Sequence, residues 1–389
     1  MGTGELITEA DESGFWSVDG NVCEQHLRDP ELLATLRKNL TEESCDFCAR
    51  TGTAGAPIAA RLDEIMPTIM VGIRALYEPA SASGIDYMET ELTTKYTDHE
   101  VVDDVIDADD KVRAAVAYRL TCDDWVQANW QRLRPDQEMF YVWEGFKSII
   151  KHSLRFLFAG HPVNVDDQPS GARFLHDLIE MISAIDGLIV ACPATLYRGR
   201  MFDIEPDIAK VGTAAQLGSP PHNRAAANRM SPAGISMFYG ATDLDTAVAE
   251  IGAHSSYTHA VMGGFTPVRE LRVLNLADLD KLPEPSLFNK SHHKAYFATE
   301  FLREFVADLT KPIELDGREH IDYVPTQVFT EYLKTAHPGR LDGLIFPSAQ
   351  ADTGSNVVIF CGPEQCVEKD SRHSTHVCLS TRRQLPNTA

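Results

Sequence analysis

In "LDTAVAEIG", Glu250 sits between Ala249 and Ile251 in an Ala/Val-rich helical run. An ordinary amphipathic helix turns such a residue to solvent. Delivered into a cleft, one carboxylate can steady a positive centre and orient a nucleophile. Other segments carry polar residues in equally unusual settings. In "LYRGR", strand alternation puts Arg198 and Arg200 on one face and Tyr197 on the other. An arginine fork suits a diphosphate. Arg229 lies in the loop "NRMSPAG", and Tyr239 closes the apolar run "ISMFYG" that follows, where its ring can stack on a planar ligand. Ser348 directly follows a strand end and Pro347, and Asn356 begins the last strand, "SNVVIF". Both side chains can hydrogen-bond hydroxyls or an amide. Taken singly, Tyr239 reads as a packed strand aromatic, Ser348 as a turn former and Arg198 as a surface ion-pair residue. Their combination is what points to a site.

A second set of side chains suggests a metal. "CEQH" and "CDFC" supply Cys23, His26, Cys45 and Cys48, two knuckles separated by residues 27–44. This spacing brings four soft ligands into a tetrahedron and predicts a structural zinc site. With every position filled by protein, such a site is closed and not catalytic. Five cysteines lie outside this set: Cys122, Cys192, Cys361 and Cys366, which read as buried small hydrophobes, and Cys378. Eight cysteines in a chain of 389 residues are too sparse for a disulfide scaffold, so a reducing cytoplasm is expected.

These residues need elements to position them, and the length allows two or three domains. Residues 1–56 are polar and turn-rich and hold the metal-type ligands. Residues 57–190 are predicted to be helical. The run begins with "IAARLDEIMPTIMVGIRALYE", kinked or split at Pro67, and continues through "VRAAVAYRLTCDDWVQANWQRL", "MFYVWEGFKSIIKHSLRFLF" and "GARFLHDLIEMISAID". Residues 191–366 alternate short β-prone runs with two helices, "KAYFATEFLREFVADL" and "TQVFTEYLKTA", which predicts an α+β domain with an antiparallel or mixed sheet. A capping box of Thr242 and Asp245 is expected to start the helix bearing Glu250, and Gly252 to stop it. Residues 367–389 are expected to form a loosely held polar tail.

The net charge of -22 repels phosphate backbones, so nucleic acid is not an expected partner. Much of that charge lies in "DHEVVDDVIDADDKV", read as a solvated face. No apolar run approaches the roughly 20 residues of a membrane span, and no signal peptide is visible.

"YRGR", then "NRMSPAGISMFYGATDLDTAVAEI", then "GLIFPSAQ" and "SNVVIF" resemble the RES domain across residues 192–362. This domain is the toxin component of RES–Xre toxin–antitoxin systems. "YVPTQVFTEYLK" is similar to RES proteins with a HEPN/RES-type helical extension at the N-terminus. The family's Arg falls on Arg198, its Tyr on Tyr239, its Glu on Glu250, its Ser on Ser348 and a following Asn on Asn356. Asn228-Arg229-Met230-Ser231 stands where the family usually has Gly-Arg-Phe/Trp-Asn. The resemblance implies an ADP-ribosyltransferase-like α+β RES domain, preceded by an all-α helical domain and a small zinc-knuckle segment. It also implies NAD+ as substrate. Glu250 would steady the cationic ribose, Arg198 would clamp the pyrophosphate, with Arg229 as a further contact, and Tyr239 would stack on nicotinamide. Ser348 and Asn356 would hold ribose hydroxyls or the carboxamide, with Ser348 counted among the catalytic residues. The expectation is a cytoplasmic NAD+ glycohydrolase or phosphorylase of toxin type, with an Xre-type antitoxin as partner. The alternative is a mono-ADP-ribosyltransferase with a protein target. The alternative from another class is a sensor that holds NAD or ADP-ribose without turnover. Arg155 and His161 in "RFLFAGH" match the Arg–His spacing of RNA-cutting HEPN domains, but Gly160 and Pro162 break the helix there, so RNase activity is not expected.

Overall fold

The structure, a computed structural model, describes residues 13–385 except 18, 54, 85–92, 122–123, 159–169, 254, 313–316, 352 and 370–375. His161 and Cys122 lie outside the described residues. Two compact units emerge: Met1–Glu138 with Glu284–Glu300, and Met139–Pro283 with Phe301–Ala389. These units group the chain differently from the expected boundaries. Residues 139–190 belong with the later sheet, and a piece from inside the predicted α+β domain belongs with the N-terminal region.

In the first unit, β1 (Asn21–Cys23) pairs antiparallel with β2 (Ala59–Arg61), and β3 (Tyr77–Pro79) with β4 (Trp125–Gln127). The helices are α1 (Pro30–Lys38), α2 (Met66–Leu76), α3 (Asp98–Val105) and α4 (Asp110–Ala117). Asp29 caps α1 by accepting from the amides of Glu31 and Leu32, and Thr97 with Glu100 forms a capping box on α3. Pro67 does not kink a long helix; it stands in the first turn of α2, where its missing N–H costs nothing. The helix predicted across residues 112–133 stops at Ala117, and Trp125 and Val126 instead bury as a strand. Ile65, Ile69 and Ile73 pack with Val101, Val112, Trp125 and Phe288 in one core. The segment from Glu284 is tied in by Ser286, whose Oγ donates to Asp29 (2.9 Å), and by Asn289, whose Nδ2 donates to Glu31 (3.1 Å). The acidic stretch is not simply a solvated face. Asp98 accepts from the Trp125 indole (2.7 Å), and Asp104 from the Tyr77 hydroxyl (2.7 Å).

The second unit is built on a nine-stranded mixed sheet. In chain order its strands are β5 (Ile189–Ala191), β6 (Leu196–Phe202), β7 (Phe238–Ala241), β8 (His259–Pro267), β9 (Arg272–Asn275), β10 (Gly343–Pro347), β11 (Ser355–Ile359), β12 (Cys366–Glu368) and β13 (Val377–Leu385). Their order across the sheet is β12-β13-β8-β6-β7-β11-β10-β9-β5. Period-two alternation sorts the side chains. Leu344, Phe346 and Val358 join a core with α5 (Pro135–His152), α6 (Gly171–Ala184), α8 (His293–Thr310) and α9 (Val324–Ala336). Ile345, Val357 and Ile359 join a second core on the other face, with Phe238, Phe265 and Leu217. Over residues 377–385 the structure differs from the loose tail expected for 367–389: β13 pairs antiparallel with β8, and Val377 and Leu379 are buried in that second core. Its polar composition misled because two buried apolar side chains and the ladder to β8 hold the strand while Thr381, Arg382 and Arg383 stay exposed.

One feature of this sheet makes a cleft. Strands β6 and β7 are register partners only at Tyr197 and Ala241, so the sheet parts beyond that pair. The helix α7 (Leu244–Gly252) follows directly from β7 and packs on β6. A Cβ at Gly199 would stand 2.2 Å from Met262 Sδ on β8 and 2.9 Å from Ile251 Cδ1 on α7, so a larger residue there would have to displace both side chains. Among the described residues, no helix is long and apolar enough to cross a membrane.

Candidate active site

A cavity of about 370 Å³ opens where β6 and β7 part. That lies within the range of small-molecule sites. It is lined by Arg198, Arg229, Tyr239, Glu250 and Asn356, drawn from segments far apart in sequence.

Glu250 reaches the cavity from the last turn of α7. That helix is capped by Asp243, whose carboxylate accepts from the amide (2.8 Å) and hydroxyl (2.7 Å) of Thr246, and not by the expected pair Thr242 and Asp245. Aspartate one position later meets the free amides of the first turn, and Thr242 instead donates to the Ser355 carbonyl (3.4 Å). At its far end, Oε1 of Glu250 accepts from Ser348 Oγ (2.5 Å) and from Asn356 Nδ2 (2.6 Å). Its second oxygen has no partner among the described residues. Ser348 is fixed in turn: its Oγ accepts from the Gln350 amide (3.0 Å), and its own amide donates to Gly354 (2.9 Å). A Cβ at Gly354 would stand 2.0 Å from Thr246 Oγ1, so glycine is what lets this loop close on α7. Ser348 thus touches Glu250 without itself lining the cavity.

Arg198 lies half-buried, its guanidinium 5.8 Å from the centre of the Phe238 ring. Nε donates to the Gly218 carbonyl (3.2 Å) and Nη1 to the Tyr239 carbonyl, which pins the fork across the gap between β6 and β7. Burial, reinforced by the Arg200 charge, pushes its pKa down to about 10. It remains a cation at neutral pH, and Nη2 is not engaged by any described residue. Arg200 does not line this cavity.

Tyr239 lines the cleft, but its hydroxyl is committed. It accepts from the Met230 amide (3.2 Å) and shares a hydrogen bond with Ser231 Oγ (2.9 Å), and burial pushes its pKa up to about 12. These bonds hold the Asn228–Ser231 turn, which α9 grips from the other side through Gln327 Nε2 donating to the Asn228 carbonyl (2.8 Å). Arg229 lines the cavity too, with Nη1 donating to the Leu309 carbonyl (2.8 Å) and Nη2 to the Lys311 carbonyl (2.9 Å). Its guanidinium lies 5.8 Å from the centre of the Tyr323 ring. Tyr323 and Tyr197 are lining aromatics that sequence reasoning did not assign to the site. Tyr323 sits in "YVPTQ", noted above for its resemblance alone; nothing in its spacing points to a cleft.

The metal-type ligands converge as well. The ligand atoms of Cys23, His26, Cys45 and Cys48 lie within 4.8 Å of one another. The sulfurs of Cys23 and Cys48 are 3.8 Å apart. Two sulfurs each about 2.3 Å from a tetrahedral zinc would stand about that far apart. His26 is buried, its Nδ1 bonds the Asp109 carboxylate, and its Nε2 has no partner among the described residues. An orphaned imidazole nitrogen beside three thiols, with a carboxylate on the other ring nitrogen, is the donor set that zinc takes. Burial pushes the Cys23 thiol up to about 11, which a bound dication would reverse. The four residues fit a zinc ion and could form a zinc knuckle. Asp109 was not legible as part of this site, because it lies in the acidic run far along the chain.

Residues 204–382 match the RES domain family, and residues 38–163 match the family described as HEPN/RES N-terminal domain 1. The RES match contains Arg229, Tyr239, Glu250, Ser348 and Asn356, and it begins just after Arg198. The HEPN/RES match contains Cys45 and Cys48 and begins after Cys23 and His26. No curated protein matches the chain.

Proposed function

We propose that this chain, which carries a RES domain behind a HEPN/RES N-terminal domain, consumes NAD+ by cleaving its nicotinamide–ribose bond. The observation that carries the reading is the Glu250 carboxylate at the cavity, one oxygen held by Ser348 and Asn356 and the other without a partner. Breaking this bond builds positive charge on the ribose while nicotinamide departs as a neutral base. The leaving group needs no proton, so one carboxylate suffices where a typical glycosidase uses two. The free oxygen of Glu250 can steady the ribose cation and orient the attacking nucleophile. Ser348 and Asn356 are positioning residues for that carboxylate. Arg198 offers its unengaged Nη2 to the pyrophosphate. Tyr239, immobilised through its hydroxyl, and Tyr323 supply flat faces for the nicotinamide ring. The cellular role that fits is a toxin whose activity depletes NAD+.

Incubating the purified chain with NAD+ and following free nicotinamide tests the reading. Release that requires Glu250 is the expected result. NAD+ that binds and is recovered intact would overturn it in favour of a sensor. Nicotinamide release with ADP-ribose found on a protein would make the enzyme a transferase.

A further inference from the structure

Cys361 follows β11 and Cys366 opens β12, joined by the tight turn Pro363–Gln365. That turn is self-closed: the Gln365 amide donates to the Gly362 carbonyl (3.2 Å), and the Gly362 amide to the Gln365 side-chain oxygen (2.6 Å). The two sulfurs lie 3.9 Å apart, and both residues are buried. Packing accounts for their burial but not for the polar group set against them. Buried Ser219 shares a hydrogen bond with Cys366 Sγ through its Oγ (3.2 Å), and its amide donates to the same sulfur (3.5 Å). The Cys361 thiol, the Ser219 hydroxyl and amide and the Arg198 charge lower the pKa of Cys366 against the effect of burial. Contact with Cys366 and burial raise that of Cys361. One sulfur is thus favoured as the thiolate, the form that oxidants attack, and its neighbour keeps its proton.

The pair is also wired to the cleft. The backbone of Gly218 lies against Cys366: a Cβ there would stand 2.7 Å from that residue's Cβ and 3.3 Å from its Sγ. The peptide group between Gly218 and Ser219 is one rigid plane. Its N–H donates to Cys366 Sγ, and its C=O accepts from Arg198 Nε (3.2 Å). We propose that Cys361 and Cys366 are an oxidative modification site, forming a reversible disulfide that loosens Arg198 through this peptide and weakens the hold of the cleft on its ligand. The oxidant is a peroxide. The Cys366 thiolate attacks one oxygen of hydrogen peroxide, the O–O bond breaks, and hydroxide leaves a sulfenic acid on sulfur. The Cys361 sulfur then bonds to that sulfur, and the sulfenic oxygen departs as water with the Cys361 proton. The two thiols lose two electrons and two protons, and the peroxide becomes two waters. A sulfur drawn toward Cys361 leaves the Ser219 amide, so the peptide that holds Arg198 Nε is no longer fixed. In a reducing compartment the pair rests as thiols and is joined only transiently. The effect on the ligand rests on the NAD+ reading; the cross-link does not.

The test reduces the full chain, treats it with hydrogen peroxide, removes the peroxide and digests without reductant. By mass spectrometry the peptide holding both cysteines should have lost two hydrogens and resist alkylation, and a thiol reductant should restore it. The oxidised chain should bind NAD+ about tenfold more weakly in calorimetry. Cys366→Ser, near in size, should bind as the reduced wild type does and ignore peroxide, which separates this pair from the other cysteines. Cys361→Ser should leave an oxidised Cys366 that dimedone labels. Both thiols surviving peroxide, or joined only to other cysteines, would overturn the site. A cross-link with unchanged NAD+ affinity, or a loss of affinity that persists in Cys366→Ser, would overturn its coupling to Arg198. If the reduced chain binds no NAD+, the reading of the cleft fails, while a cross-link between 361 and 366 still upholds the site.

Discussion

The Cys23–Cys48 cluster and the Glu250 cleft each gather polar groups in one place, by opposite routes. At the cluster, all four donors come from two short knuckles on either side of residues 27–44, and a paired β1–β2 frame brings them together. At the cleft, Arg198 and Ser348 lie far along the chain from Tyr239 and Glu250, and β6, β7, α7 and the loop after β10 must all be in place before the four meet. The cluster is a local arrangement that a metal can complete. The cleft depends on a packed core, because its residues hang from β6, β7, α7 and β10, whose apolar faces are buried. The contrast predicts that ligand loss should matter locally at the first site, whereas at the second the scaffold should survive and the chemistry fail.

The largest effect expected is at the cluster. Structural zinc sites are worth about 10–16 kcal/mol of apparent binding free energy in small peptides. Cys45→Ser combined with Cys48→Ser should therefore abolish zinc in elemental analysis and open residues 13–61 to proteolysis. Full zinc content in the double mutant would break the comparison. Next in size is Glu250→Gln, which keeps the shape and both hydrogen-bonded neighbours. Turnover should fall about 100- to 1000-fold with NAD+ affinity retained, as nicotinamide release and calorimetry would show. Near-normal release would remove Glu250 from the chemistry.

Asp109→Asn sharpens the comparison, since it asks whether a residue distant in sequence tunes the local site. Loss of the carboxylate on His26 Nδ1 should weaken zinc about 10- to 100-fold in competition with a chelator. Unchanged affinity would make the contact incidental. The smallest effect expected is Arg198→Lys. A lysine keeps the charge but cannot span both the Gly218 and Tyr239 carbonyls, so NAD+ should bind about tenfold more weakly. Unchanged affinity by calorimetry would move the clamp to Arg229.

Several parts of this molecule were legible from residue order alone. The knuckle spacing named all four metal-type ligands. Periodicity placed β6, β7, β10 and β11 and the long helices α5, α6, α8 and α9 near their observed positions. The misses share a cause. Pro67 and the run 112–133 were read by helical pattern, yet a proline can open a helix as readily as kink one, and Trp125 is buried as a strand residue. The tail was read by polarity, yet Val377 and Leu379 anchor β13 in the core while Thr381, Arg382 and Arg383 stay exposed along the ladder to β8. Asp109 and Tyr323 carry no local signal, since what makes each matter is a partner distant in sequence.

By itself the sequence determined which side chains could act and the local patterns that carry them. Hydrophobic period, caps and ligand spacing are short-range properties of a chain. Only the tertiary structure decided that Glu250 is held by Ser348 and Asn356 and that Arg198 bridges a parting between β6 and β7. Those facts depend on strand order and on close approach at Gly199 and Gly354, which packing of the whole core fixes and no window of sequence encodes.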